Sequence, residues 1–331
     1  VAYKKILVTG AGGFIGSHLV EKLVKQKYKV RALVHYNSSN YLHNLHCLPE
    51  YVLSQLDIVS GDILDERFCR DITEDIDAVF HLAALISIPY SYQAVKPFIY
   101  TNIVGTENLV RASLENEVRL FVHTSTSEVY GTAQYVPIDE KHLLQGQSPY
   151  AASKIGADYL VMSYVKSFDL PAVIIRPFNT FGPWQSRRAI IPTIITQLLS
   201  PGKELKLGSL EPVRDLNYID NTVHGFEQCL RVPLADYYGE VFNIAYGEGI
   251  SIGRLTSILQ KIAREDKMIV EEPQRIRPAK SEVMKLVGDY KRARNVLNYH
   301  PLVSMPEGLE LTYRWYAEYY RDPYLKLGYI T

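Results

Sequence analysis

Short apolar runs, each closed by glycine or small polar residues, alternate along the chain with stretches whose apolar positions fall three and four apart. Ile6-Leu7-Val8-Thr9 is the first run, and Gly10-Ala11-Gly12-Gly13-Phe14-Ile15-Gly16 follows it at once. From His18 to Lys27 the apolar residues Leu19, Val20, Leu23 and Val24 keep helical spacing, and Val30 to Val34 reads as strand again. A strand-helix-strand unit of about thirty residues is the setting that a glycine-rich dinucleotide loop requires. Gly10, Gly13 and Gly16 form GxxGxxG, which lets the backbone approach a pyrophosphate at the start of the helix. Glycine-rich turns are common, so the loop counts only because of the unit around it.

The alternation continues. Leu56 to Ser60 (ending in Gly61-Asp62), Ala78 to Ala84, Arg119 to Thr124 and Ala172 to Arg176 read as strands. Thr101 to Leu114 and Ser148 to Phe168 read as helices. This order predicts an α/β fold with a Rossmann-type doubly wound parallel sheet. Ligands of such sheets bind beyond the carboxyl ends of the strands, where Thr9/Gly10, Asp62, Ala83/Ala84 and Thr124 to Glu128 all fall. After Pro177-Phe178-Asn179-Thr180-Phe181-Gly182-Pro183 the pattern loosens into short elements broken by prolines. We expect a dinucleotide-binding domain over 1–177, with a strand returning to its sheet near 237–244. Residues 178–331 are expected to form mainly a smaller substrate lobe.

Composition narrows the class. With 331 residues, 47% hydrophobic and 22% charged, the chain has the make-up of an ordinary globular protein. Lys+Arg and Asp+Glu are both 36, so no net field draws it to nucleic acid or to a membrane surface. No apolar run approaches the roughly 18–20 residues of a membrane helix. Cys47, Cys69 and Cys229 lack metal-site spacing, and their odd number suits a reducing compartment. Val1-Ala2-Tyr3-Lys4-Lys5 leads straight into strand, which predicts no signal peptide and a cytoplasmic location. The histidines show no HxxxH or His/Cys cluster, so no metal is expected, and His81 and His123 read as satisfied core residues.

The candidate chemistry lies in Val122-His123-Thr124-Ser125-Thr126-Ser127-Glu128-Val129-Tyr130-Gly131 and Ser148-Pro149-Tyr150-Ala151-Ala152-Ser153-Lys154. The first reads as a buried strand opening onto hydroxyls and a carboxylate. Tyr150 and Lys154, four apart, share a helix face. A nearby ammonium would favour the phenolate and make Tyr150 a usable base near neutral pH. Out of context, such a pair is more often a half-buried ring beside a solvated charge. An NAD site usually ends its second strand in Asp or Glu, and an NADP site offers Arg nearby. Here that strand ends Leu33-Val34-His35-Tyr36-Asn37, so NAD is favoured and NADP stays open, with Arg31 placed in the strand. Asp62 either accepts from an adenine amino group or opens a helix at Ile63.

These pieces resemble the extended short-chain dehydrogenase/reductases of the nucleotide-sugar epimerase/dehydratase family. The resemblance also rests on His81-Leu82-Ala83-Ala84, Thr101-Asn102-Ile103-Val104-Gly105-Thr106, Arg176-Pro177-Phe178-Asn179 and Arg214-Asp215. It implies cofactor contacts from Gly10, Gly13, Phe14, Ile15, Gly16, His35, Asp62, Ile63, Leu82, Ala83, Ala84 and Thr124, joined by Tyr150 and Lys154. Tyr150 would exchange a proton with the sugar C4 hydroxyl, with Lys154 as its partner and Thr126 bonded to the same oxygen. Glu128 would be the C5 base. Ser87 and Asn179 would hold substrate, the latter at its diphosphate. Arg214 and Arg277 would face the diphosphate or nucleoside, and Glu282 a ribose hydroxyl. Arg187-Arg188 either reaches phosphate or starts a solvated helix. A homodimer built through a helix bundle is implied as well.

Thr126-Ser127-Glu128 is similar to the Thr-Ser-Glu of GDP-mannose dehydratases, whereas simple 4-epimerases have no carboxylate there. Ala84 to Tyr92, His123 to Ala133, Gln145 to Tyr150 and Arg277 to Val283 resemble the legionaminic-acid branch of NAD-dependent 4,6-dehydratases, which act on UDP- or GDP-N-acetylglucosamine. The expectation is a UDP-N-acetylglucosamine 4,6-dehydratase that retains configuration at C5. Ser127 stands where Thr-Asp-Glu enzymes place an acid; a hydroxyl is too weak an acid for that task, so either Glu128 serves as base and acid, the favoured reading, or a water relays the proton. Other readings are a 4-epimerase or uronate decarboxylase, and a non-catalytic NAD(P)-sensing protein.

Overall fold

The computed structural model describes residues 3–272 and 283–319. Strands β1 (Lys5–Thr9), β2 (Lys29–His35), β3 (Leu56–Gly61), β4 (Ala78–His81), β5 (Leu120–Thr124) and β6 (Ala172–Pro177) enter one sheet. β7 (Asn179–Phe181), β8 (Glu204–Leu207) and β9 (Val213–Tyr218) leave it, and β10 (Val241–Ile244) pairs with β6 at its edge. β11 (Gly249–Ser251), β12 (Met268–Glu271) and β13 (Lys285–Leu286) belong to smaller sheets. The main order is β10-β6-β5-β4-β1-β2-β3, parallel at every pair. It is a Rossmann-type doubly wound sheet.

The unbroken apolar runs follow from burial on both faces. Ile6, Val8, Val122, Val173 and Ile175 enter one core, and their neighbours Leu7, Phe121, Ala172 and Ile174 enter the other. Strand order reverses at β1, which pairs with both β2 and β4. Thr9 is level with His81, and His81 with His123, so the carboxyl ends of the three central strands open into one crevice. One residue, Phe178, separates β6 from β7, which pairs with β9 of the second sheet. That sheet therefore follows directly from the carboxyl end of the main one. Among the described residues no helix is long and apolar enough to cross a membrane.

Several local expectations change. β4 stops at His81 rather than Ala84, because the Thr9 hydroxyl takes the Leu82 and Ala83 N–H groups at 3.1 Å and draws that backbone out of the ladder. No helix opens at Ile63. Asp62 accepts from Leu64 N–H in a turn, and Asp65 caps the helix Glu66–Thr73 by accepting from Phe68 N–H. The helix expected from Thr101 begins with a π-wound turn, Tyr100–Val104, before Gly105–Glu115.

Candidate active site

The glycine loop is shaped by contacts that exclude side chains. Gly10 has φ +66°, and a β-carbon there would stand 2.8 Å from the backbone of Leu82 and Ala83. Gly13 precedes the first helix, Phe14–Lys25, and its N–H donates to the Gly10 carbonyl at 2.9 Å. Phe14 and Ile15 open a first turn that carries no acidic residue, so its free N–H groups and dipole face outward uncompensated. A pyrophosphate fits such a cradle.

Behind the loop, the protons of one chain of groups can be assigned. The Thr9 hydroxyl accepts two N–H groups, so its own proton goes to His81 Nδ1 at 2.8 Å. His81 Nε2–H then donates to Thr106 at 2.9 Å, and the Thr106 hydroxyl donates to the Asn102 carbonyl at 2.7 Å. Burial, with His123 and Lys154 nearby, holds His81 well below the usual imidazole range, so it is neutral. Asn102 also accepts Leu85 N–H and donates to the Leu85 carbonyl and to Ser153. It thereby ties the segment after β4 to the helix Pro149–Phe168 that carries Tyr150.

At the adenosine end, His35 Nε2 lies 3.6 Å from an Asp62 carboxylate oxygen, both side chains open to solvent. Arg31 turns away from this end, bonding Asp57 at 2.7 Å and the Ile72 carbonyl at 3.0 Å. Ile63 sends its side chain into the core, where it would meet a β-carbon on Gly105. Only its backbone is left to face a cofactor.

The chemistry gathers between β5 and the helix Pro149–Phe168. Ser148 caps that helix by accepting Ala151 N–H, and Pro149 fits its first position. Thr126 caps the short turn Ser127–Tyr130 by accepting Glu128 N–H, which leaves Ser127 buried and Glu128 half-buried. Tyr150 and Lys154 are 7% and 3% exposed. Burial pushes the Tyr150 phenol well up, a Thr126 hydrogen bond opposes this, and the charges of Glu128 and Asp158 add to it. Tyr150, Thr126 and Glu128 thus share one site. Burial lowers Lys154 itself to about 8, with Asp158 as its stabilising charge. The phenol ring meets Phe98 edge-on, centroids 6.3 Å apart.

Thr124 Oγ1, on the last residue of β5, and Asn179 Nδ2, on the first of β7, are among the buried polar atoms without a hydrogen-bond partner, as groups awaiting a ligand would be. Ser87 caps the helix Ile88–Gln93, which packs on the Tyr150 helix. Arg214 lies on β9, 8% exposed, donating to the Val213 carbonyl at 3.1 Å. It is two residues from Leu216, the register partner of Asn179, so Arg214 and Leu216 side chains share a face. Asp215 beside it accepts the N–H groups of Tyr246, Gly247 and Gly288, although burial still raises it to about 6. Arg187 and Arg188 precede the helix Ile190–Leu199. Arg277 and Glu282 lie outside the described residues. Among those residues no group of three His, Cys, Asp or Glu is arranged to hold a metal ion.

Sequence reasoning passed over Ser125, Asp158 and the role of Arg176. Asp158 is fully buried; its Oδ2 accepts from Ser125 at 2.8 Å and from Arg176 Nη2 at 2.9 Å. The available signal was periodicity, since Tyr150, Lys154 and Asp158 stand at i, i+4 and i+8 on one helix face. His123 sits in the core with its Nε2 3.3 Å from Asp158 Oδ1, a contact that helps hold that carboxylate low. The carboxylate is already oriented by Arg176 and Ser125.

A glycine cradle at the switch point of a parallel sheet, facing a Tyr/Lys helix, is the build of a short-chain dehydrogenase/reductase. The chain belongs to the family described as GDP-mannose 4,6 dehydratase, whose model matches residues 7–312. It is 32% identical over 317 residues to a dTDP-glucose 4,6-dehydratase of an Actinoplanes species, covering 94% of this chain and 97% of that one. A variant of DesIV, the dTDP-glucose 4,6-dehydratase of Streptomyces venezuelae, has a structure with NAD bound. It matches with TM-score 0.81 at 30% identity, over 95% of this chain and 97% of that one. The UDP-glucuronic acid 4-epimerase of Bacillus cereus, also in complex with NAD, matches with TM-score 0.86 at 31% identity, over 95% and 99%.

Proposed function

We propose that this chain is an NAD-dependent nucleotide-sugar 4,6-dehydratase, and that its substrate is UDP-N-acetylglucosamine. The observation that carries the reaction class is the packing of the Thr126-capped turn Ser127–Tyr130, which bears Glu128, on the helix that carries Tyr150. In this reading Tyr150 exchanges a proton at the sugar C4 oxygen and Glu128 serves the adjoining C5. The dehydratase relatives support the class, and the likeness of the motif-bearing stretches to the legionaminic-acid branch supports the sugar. NAD is the dinucleotide in the neighbouring structures, and the turned-away Arg31 agrees with it.

The glycine cradle would hold NAD, which would supply a reversible hydride acceptor. Tyr150 takes the C4 hydroxyl proton as C4 becomes a ketone, and Thr126 holds that oxygen. The ketone acidifies the C5 proton, which Glu128 removes, and Glu128 gives a proton to the departing C6 hydroxyl. C6 would then receive the hydride, C5 a proton from solvent to match the one Tyr150 releases, and the cofactor would end unchanged. Asn179, with its buried amide unpartnered, and Arg214 face the diphosphate in this reading.

We also propose a two-lobed organisation, with residues from 178 onward mainly holding substrate, and a homodimer working in the cytoplasm. Tyr92, Val95, Ile99, Tyr100, Val104 and Tyr159 are all at least 39% exposed on helical segments that pack together, an apolar face suited to a second copy. Cys47, Cys69 and Cys229 are free thiols, in keeping with a reducing compartment.

Incubation with UDP-N-acetylglucosamine in heavy water tests the chemistry. Loss of one water with one deuterium at C5 supports dehydration. A sugar changed only at C4, without mass loss, would establish the 4-epimerase reading that the B. cereus neighbour favours. Turnover of dTDP-glucose alone would keep the reaction and overturn the sugar. Inertness toward UDP, dTDP and GDP sugars would leave an NAD-sensing protein.

A further inference from the structure

Asp158 is a fully buried carboxylate that the reaction as written does not use. Its Oδ2 accepts from Ser125 Oγ at 2.8 Å, Arg176 Nε at 3.2 Å and Arg176 Nη2 at 2.9 Å. Arg176 is itself 2% exposed, and its Nη1 donates to the Tyr130 hydroxyl at 3.0 Å. Tyr130 passes its proton on to Asn243 Oδ1 at 2.7 Å. Ser125 and Tyr130 bracket the turn that bears Thr126 and Glu128. One end of that turn is therefore bonded to Asp158 directly, and the other through Arg176. Asp158 belongs in turn to the helix that carries Tyr150 and Lys154.

We propose that Asp158 is a positioning residue, which registers the Thr126–Glu128 turn against Tyr150 and supplies the buried negative charge that keeps Lys154 cationic. The charged and titratable groups around it bear this out. From its own helix come Lys154 and Tyr150, and from β5 His123. β6 contributes Arg176, which reaches Tyr130 of the turn. Burial and Lys154 hold His123 down at about 4, so it adds no positive charge. Two cations, Lys154 and Arg176, are left to share the Asp158 carboxylate. Burial opposes that charge, yet His123, Arg176 and Ser125 keep Asp158 below the ordinary carboxylate range. Lys154 and Asp158 stand four apart on one buried helix face, so removal of Asp158 strips Lys154 of its neighbouring negative charge.

This inference rests on the reading of Tyr150 and Lys154 as the C4 redox pair. The test compares Asp158→Asn and Ser125→Ala with the unaltered chain, using whichever nucleotide sugar it turns over. Asp158→Asn is expected to lower kcat by about tenfold or more with KM nearly unchanged, and to move the alkaline limb of the kcat profile to lower pH. Ser125→Ala keeps the charge and loosens one end of the turn; it should lower kcat with no displacement of the pH profile. Thermal melting and NAD titration confirm that each variant is folded. A folded Asp158→Asn with unchanged kcat and unchanged alkaline limb overturns the proposal. If Asp158→Asn does not fold, a Ser125→Ala enzyme with full kcat overturns it. Undiminished turnover in Tyr150→Phe, by contrast, overturns the underlying reading and not the role of Asp158 alone.

Discussion

A β-carbon on Gly16 would fall 2.2 Å from the carbonyl oxygen of Gly10. Both atoms belong to backbone on a loop tied at one side to β1 and at the other to the first helix, so neither can step aside cheaply. The contact holds the helix start against the strand end and fixes where the open N–H groups point.

Gly16→Ala is accordingly expected to spread the loop. Overpacking of this kind costs about 1–3 kcal/mol. NAD affinity should fall about tenfold or more, as measured by calorimetric titration, with a lower Tm. Unaltered affinity would mean that the loop has slack the distances deny.

Tyr150→Phe removes one oxygen from a buried wall and leaves the ring beside Phe98. Turnover should drop about 10²–10⁴-fold, the span of general acid–base contributions, with nucleotide-sugar Kd held within about twofold. A binder without chemistry would show no change on this substitution.

Glu128→Gln separates oxidation from elimination. Reduced cofactor should still form on mixing with substrate, seen by its absorbance, while release of the 4-keto-6-deoxy product falls about 10²-fold or more. Undiminished product would remove Glu128 from the C5 step and reopen the question of which group takes that proton.

Glu227 joins the first helix to the helix Ile219–Gln228. Its carboxylate meets Gln26, Lys22 and Arg231, and its side chain is 5% exposed. Burial raises it, but His224, Gln26, Lys22 and Arg231 prevail and bring it down to about 2. A depressed acid stabilises the fold above its unfolded value, about 4.3, and that stability is lost as pH falls toward the folded value. Glu227→Gln should therefore cost about 1–2 kcal/mol at neutral pH, with the gap to the unaltered chain closing as pH falls below 4. A gap that persists unchanged at low pH would mean that packing, not charge, holds this joint.

Much of the fold was legible in advance because its signals are local. β1, β2, β5 and β6 lie within a residue or two of the expected runs. The dinucleotide loop could be read from glycine spacing, since φ +66° at Gly10 and the close approach at Gly16 tolerate no side chain. Tyr150 and Lys154 came from helical spacing, and Thr126 and Glu128 from the end of an apolar run. The misses share a cause. β4 ends early because of a hydroxyl seventy-odd residues away in sequence, Thr9. Asp65, not Asp62, caps its helix because the Asp62 side chain is spent on a turn.

The sequence by itself determined the parallel sheet, the cofactor loop and which side chains could do chemistry. Buried strands must be apolar throughout, and tight backbone must be glycine, wherever the chain later goes. Only the tertiary structure decided the electrical state of the site. Burial raises Tyr150 and lowers Lys154, shifts that their spacing alone does not encode. It also selected Asp158 as the carboxylate beneath them, through Ser125 on β5's exit and Arg176 on β6. Desolvation and the meeting of charges across strands depend on which segments pack together, and no local pattern encodes that.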